Sequence, residues 1–239
     1  MASPIMTSHN YYPTSIQLPD YVANESSVLS LILQFGILWA AVVGFSFTLI
    51  CRMRPSLSLS DRVAFTWMCL SIVSPILLDK DQEITGFIHL FFEAHFVLNH
   101  AALSARQGLF DQLWKEYSLS DSRYLTSDAF LVSMEAVTAF CWGPLAFLIA
   151  YCIAIEHPVR HALQIIISLG QVYGDVLYYA TSLLDISYCR PEGYYFWFYY
   201  FFFNFIWMVV GCYYVKQSAT EIWKAFEKLQ SLSVLQKTK

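Results

Sequence analysis

Charge is what this chain has least of. Asp, Glu, Lys and Arg make up 13% of its 239 residues, against about 25% in an ordinary soluble domain. Apolar residues take their place: 57% are hydrophobic, 18% aromatic, and the mean hydropathy is +0.47. That composition excludes a conventional soluble globule and points to a polytopic membrane protein, since an apolar run of about 20 residues spans a bilayer as a helix. Residues 1–27 contain no Lys or Arg but do contain Pro4, Pro13 and Pro19. A secretory signal peptide needs a basic start and an apolar core, so this polar segment does not read as one. The six cysteines form no CxxC, which excludes the usual zinc and disulfide frameworks and leaves buried free thiols as the expectation. There is no Gly-rich phosphate loop and no nucleophile elbow, so ATP-driven transport, hydride transfer and acyl hydrolysis lack their equipment. Of six histidines His89, His95 and His100 lie near one another, but His89 and His95 fall on different helix faces, so no metal is expected. No internal repeat or pair of broken helices supports a transporter.

The apolar runs that are present give an order of spans. Val28–Ile50 is a first span and signal anchor. The link Cys51–Arg62 carries Arg52, Arg54 and Arg62 against Asp61, which marks it cytoplasmic and sets the N-terminus across the membrane. Val63–Leu103 reads as one span interrupted by Asp79-Lys80-Asp81-Gln82-Glu83. A polar connection, 104–129, holds Trp114, Tyr117 and Tyr124, rings suited to a membrane–water boundary. Phe130–Ile155 follows, with Pro144 as a kink, then Ala162–Leu184 and the aromatic run Tyr194–Val215. Five spans put nine of the fourteen Lys and Arg on the cytoplasmic side, including the five lysines of the tail; six would split the tail from the Arg-rich link. The expected fold is therefore all-α, a bundle of five transmembrane helices. Its parts are a polar segment 1–27, a membrane domain 28–215 and a basic cytoplasmic tail 216–239.

Inside these runs lie groups that do not suit lipid. Glu93, Glu135 and Asp175 would each cost about 2.5–3.5 kcal/mol at the centre of a lipid-facing helix. They should therefore face the bundle interior or a cavity. His89 and Glu93 are spaced i,i+4 within GFIHLFFEAHFVLNH; Glu135, Thr138 and Trp142 share one face; Gln171 and Asp175 are i,i+4; Asn204 and Trp207 are i,i+3. Hydrogen bonding between helices would account for one such acid. Three, together with His89, favour a functional cavity, with Gln171/Asp175 the weakest member and a candidate for simply tying helices together. Carboxylic acids and an imidazole in a dry pocket can donate and remove protons, and an indole face can stabilise a transient cation. Those are the requirements of an acid-catalysed double-bond shift on an apolar molecule.

The blocks GFIHLFFEAHFVL, LWKEYSLSDSRY, VSMEAVTAFCWGP, HPVRHALQIIISLGQVYGDVLYY and YYFWFYYFFFNFIW, read in order, resemble the emopamil-binding protein family of 3β-hydroxysteroid Δ8,Δ7-isomerases, which share the EXPERA domain. The likeness runs over roughly residues 60–210. It implies a five-helix, homodimeric protein of the endoplasmic-reticulum membrane and the contiguous nuclear envelope, N-terminus lumenal and C-terminus cytoplasmic, whose cavity opens sideways to membrane lipid. The implied activity moves the sterol B-ring double bond from 8(9) to 7(8) in cholesterol or related sterol biosynthesis, with a Δ8-sterol as substrate, lipophilic cationic amines as inhibitors, no cofactor and no nucleic acid. By the same resemblance His89, Glu93 and Glu135 are catalytic, Tyr124, Thr138, Asn204 and Trp207 bind substrate or cation, and Asp175 gives support. The block GQVYGDVLY resembles the catalytic members more than the sigma-2 relatives, whose like acids would only bind a sterol or amine. Against the family pattern, about a dozen extra residues, Ser74–Thr85, separate the lead-in from the GFIH block. They either loop out at a membrane face or bend into the cavity.

Overall fold

The computed structural model describes residues 9–70 and 88–237. The interruption at Ser74–Thr85 lies outside the described residues. Every regular element among the described residues is helical.

Helix α1, Val28–Met53, starts where Ser27 caps it by accepting a hydrogen bond from the Ser30 N–H. Its 26 residues reach about 39 Å at 1.5 Å per residue, enough to cross a bilayer. Few of its apolar side chains are buried: Leu29, Ile32, Leu33, Ile37 and Phe45 all face outward, as a helix surrounded by hydrocarbon requires. Helix α2, Leu59–Leu70, packs on α1. The chain is described again at Ile88–Glu93, one widened π-helical turn that runs into α3, Ala94–Asn99.

Helix α4, Leu109–Tyr117, lies in the polar connection. Asp128 then caps α5, Ala129–Val137, through the Leu131 N–H. A second π-turn, Thr138–Trp142, leads into α6, Gly143–Ala154. Proline lacks an N–H and its ring crowds the carbonyl one turn back; where a kink was expected at Pro144, the helix widens just before it and continues. Helix α7, Arg160–Leu183, packs along α8, Phe203–Lys237, which a third π-segment, Tyr195–Phe202, precedes. At Gly211 the two pack tightly enough that an added Cβ would stand 2.7 Å from Val172 Cγ2. Among the described residues three helical stretches are long and apolar enough to cross a membrane: Val28–Met53, Ala129–Ala154 and Tyr195–Gln236. The last one carries straight through the polar tail.

The connections gather at two ends. At one, the N-terminal segment lies on α4: the Tyr11 hydroxyl donates to the Lys115 carbonyl at 3.0 Å and the Asn24 amide to that of Gln112 at 2.9 Å. The Arg190 N–H joins there, on the Leu119 carbonyl at 3.1 Å. At the other end Arg54 Nε donates to the Ala154 carbonyl at 2.6 Å, and Arg160 pairs with Asp61 at 2.8 Å.

Two expectations change. Trp114 and Tyr124 are core residues and not boundary rings: they are 3% and 2% exposed, and Trp114 stacks on Phe92 at 4.5 Å while its indole N–H donates to the Phe92 carbonyl. The boundary reading failed because their partners lie far away in sequence. The six cysteines are free, but only Cys152 and Cys189 are buried; Cys141 and Cys212 sit on outward helix faces.

Candidate active site

A cavity of about 370 Å³ lies where the first π-turn, α5 and its π-turn, α7 and the start of α8 converge. Its wall includes all eight residues singled out from the sequence: His89, Glu93, Tyr124, Glu135, Thr138, Asp175, Asn204 and Trp207. Three carboxyls and one imidazole thus face one space, and among the described residues no Lys or Arg lines it.

The two π-turns explain part of that convergence. A π-turn adds a residue to the helical turn and rotates everything after it. One holds His89 and Glu93, and the other begins at Thr138 and ends at Trp142. The Thr138 hydroxyl donates back to the Met134 carbonyl at 3.0 Å, a local bond that competes with the regular ladder at the point where the helix widens.

His89 is 3% exposed and stands at the centre of the polar contacts. Its Nδ1 meets both Glu93 carboxylate oxygens, at 2.9 and 2.8 Å. Its Nε2 accepts from the Gln171 amide at 3.0 Å. An N–H donor on Nε2 leaves the ring proton at Nδ1, where it donates to Glu93. The Trp207 ring lies 5.3 Å from the imidazole and is backed by Trp67 at 4.8 Å. Across the cavity Glu135 accepts the Tyr124 hydroxyl proton at 2.9 Å. Asp175 Oδ2 is buried and has no hydrogen-bond partner among the described residues.

Asn204 does not reach a carboxyl. Its amide donates to the Tyr117 hydroxyl at 3.0 Å and to the Tyr200 carbonyl. Trp142 lines the cavity against Gly170, where an added Cβ would sit 2.4 Å from the indole. The residues that sequence reasoning undervalued are therefore Gln171, which bonds His89, and Tyr117, which holds Asn204. The i,i+4 pairing of Gln171 with Asp175 was the available signal for the first; for Tyr117 there was none. His95 and His100 turn elsewhere, His95 to Asp111 at 2.7 Å and His100 to Ser127 at 2.8 Å.

Comparison with known proteins adds an independent line. Residues 109–218 match the family model EBP, described as EXPERA (EXPanded EBP superfamily). The chain is 35% identical over 220 residues to the 3-beta-hydroxysteroid-Delta(8),Delta(7)-isomerase of Rattus norvegicus, covering 88% of this chain and 86% of the relative. It is 34% identical over 204 residues to the isomerase of the same name from Cavia porcellus, covering 84% and 83%. It is 30% identical over 220 residues to the probable isomerase of Oryza sativa subsp. japonica, covering 92% and 94%. With helices fit for a membrane, an acid-lined cavity between them and relatives matched over most of their length, the chain belongs to the EXPERA family, the expanded EBP superfamily.

Proposed function

We propose that this protein is a sterol Δ8,Δ7-isomerase that works by protonation and deprotonation through a carbocation, without a cofactor. The observation that carries the reading is the cavity: three carboxyls and a hydrogen-bonded imidazole face one space whose other walls are largely apolar and aromatic. The names of the similar isomerases supply the substrate class.

The reaction begins with proton delivery to ring position 9 of the alkene, leaving a tertiary cation at position 8. Loss of a proton from position 7 completes the shift, so the acid consumed in the first step is restored by the second. Glu135 and Glu93 are the candidate proton donors, and His89, bonded to Glu93, moves the proton between the two faces of the site. The Trp207 indole, next to His89, offers its π face to the cation. Tyr124 orients the Glu135 carboxyl, Thr138 and Asn204 shape the wall, and Asp175 gives support as a third carboxyl on the cavity. A protonated lipophilic amine resembles the cationic state and should inhibit.

The membrane arrangement belongs to the same proposal: five spans, the N-terminus lumenal and the C-terminus cytoplasmic, in the endoplasmic reticulum, as a homodimer. The sorting of connections to two ends supports the count of spans, because the N-terminal segment, α4 and Arg190 meet at one end while Arg54, Asp61 and Arg160 meet at the other. The membrane domain of this proposal is 28–215.

The deciding experiment is conversion of a purified Δ8-sterol by purified protein. Wild type should form the Δ7 product, and Glu135→Gln should lose on the order of 100-fold or more of the rate, the usual weight of a general acid or base. Full activity in Glu135→Gln would end this mechanism. Amine binding without product in wild type would mean a binding protein in place of an enzyme.

A further inference from the structure

The imidazole of His89 has two nitrogens and the structure gives each one partner: Glu93 at Nδ1 and Gln171 at Nε2. Glu93 comes from the same π-turn, but Gln171 reaches in from α7, 82 positions away in sequence. A residue needed only to tie α7 to the π-turn could use any apolar contact. A carboxamide differs because it carries a donor and an acceptor on one planar group. While His89 is neutral, its Nε2 lone pair needs a donor, and the Gln171 N–H supplies it at 3.0 Å. Once His89 binds a proton at Nε2, that atom becomes a donor and an N–H opposite it becomes repulsive. Half a turn of the amide then presents its oxygen instead.

We propose that Gln171 is a positioning residue for the isomerisation, one whose carboxamide holds His89 through Nε2 and turns over to serve both of its protonation states. The proposal rests on the isomerase reading above. The proton His89 accepts at Nε2 comes from the cavity and returns to it, so Gln171 gains and loses none. Among the described residues the ionisable groups lining the cavity with the imidazole are the carboxyls of Glu93, Glu135 and Asp175 and the hydroxyls of Tyr173, Tyr178 and, on Glu135, Tyr124. A fixed acceptor at Nε2 would hold a proton there, and what it would spoil is the return to the neutral ring. Glutamate at position 171 would be such a partner, a permanent acceptor of nearly the same shape.

Two variants test this, each measured for sterol conversion per folded molecule, melting temperature and 15N-histidine spectrum. In Gln171→Leu, kcat should fall about tenfold, the worth of one buried hydrogen bond, with KM within about twofold and melting close to wild type. In Gln171→Glu, kcat should fall at least as far, and the His89 signals should show both ring nitrogens protonated at neutral pH. Wild type should show a proton at Nδ1 and none at Nε2. The proposal is overturned if either variant keeps the wild-type kcat and the wild-type His89 spectrum, with loss confined to melting temperature, for that is what a helix tie would give. If Gln171→Leu does not fold, Gln171→Glu decides alone. Wild type with the stated spectrum but no Δ7 product would instead overturn the isomerase reading and leave the His89–Gln171 geometry standing.

Discussion

The molecule holds two clusters of buried polar groups, and they are built in opposite ways. In the cap, where the N-terminal segment lies on α4, the buried charges each hold two or more hydrogen bonds. Asp111, 1% exposed, accepts from His95 at 2.7 Å, Arg106 at 3.3 Å and the Gly108 N–H at 3.1 Å. Lys115, 0% exposed, donates to the Val22 carbonyl at 2.9 Å and the Arg106 carbonyl at 2.7 Å. Asp121 takes Arg123 through two guanidinium nitrogens, at 2.9 and 2.6 Å. In the cavity the acids are left short. Among the described residues Glu135 has one donor, Glu93 has His89, and Asp175 Oδ2 has none. A buried carboxylate with three donors is held in one charge state and one place. A carboxyl with free lone pairs facing a cavity can still change its proton. Satisfaction separates structure from chemistry here, since burial alone does not.

The largest effects should come from exchanging carboxyl for amide in each cluster. Glu93→Gln should lower the isomerisation rate on the order of 100-fold and leave melting little changed, because the amide can still bond the His89 ring. Asp111→Asn should do the reverse. Breaking one partner of a buried ion pair costs about 3 kcal/mol or more, while activity per folded molecule should stay within about threefold of wild type. Measured side by side by sterol conversion and thermal unfolding, a loss of activity in Asp111→Asn as deep as in Glu93→Gln would dissolve the distinction.

Acid should sharpen it next. Burial pushes the Asp111 carboxyl up, but the hydrogen bond and charge of His95, with those of Arg106, outweigh it and hold the carboxyl below its ordinary value. A carboxyl whose folded value is depressed stabilises fully above its unfolded value of about 3.9 and loses that contribution as pH falls through the folded value. Thermal stability should therefore drop steeply below about pH 4, with Asp111→Asn showing a shallower fall. Lys115 works with the other sign: burial lowers its value, partly offset by Asp111 and Glu25. Its charged form costs stability at neutral pH, a cost relieved only as pH rises toward 10.

The elements that sequence pattern located are those whose signals are local. The starts of α1 and α5 fall at or within one residue of the apolar runs Val28–Ile50 and Phe130–Ile155, directly after the residues Ser27 and Asp128 that cap them, and the i,i+4 spacing of His89 and Glu93 forecast their contact. Long-range partners were out of reach. Nothing near Trp114 says that Phe92 will lie against it, nor near Tyr117 that Asn204 will, 87 positions on. The three π-segments were also invisible, because an extra residue in a turn is decided by packing and not by any residue type. The Asp111–His95 pair joins α4 to the helix directly after the His89 turn, 16 positions apart. Neither residue carries a mark that distinguishes it from surface charge.

The smallest effects concern two glycines of α7 that line the same cavity yet differ in what stands opposite. At Gly170 an added Cβ would lie 2.4 Å from the Trp142 indole, inside contact distance, so the ring must move. Trp142 closes one wall, and Gly170→Ala should raise KM several-fold, about tenfold at most if roughly 1–1.4 kcal/mol of binding is lost with the displaced ring. At Gly174 nothing lies within 4 Å. Alanine there relieves the conformational entropy of a helical glycine, about 0.5–1 kcal/mol, and removes about one methyl group's volume from the cavity. Gly174→Ala should therefore melt slightly higher and change KM by less than about threefold. If instead Gly174→Ala were the more damaging of the two, the substrate would have to press on α7 at that turn, and Gly174 would become part of the recognition surface.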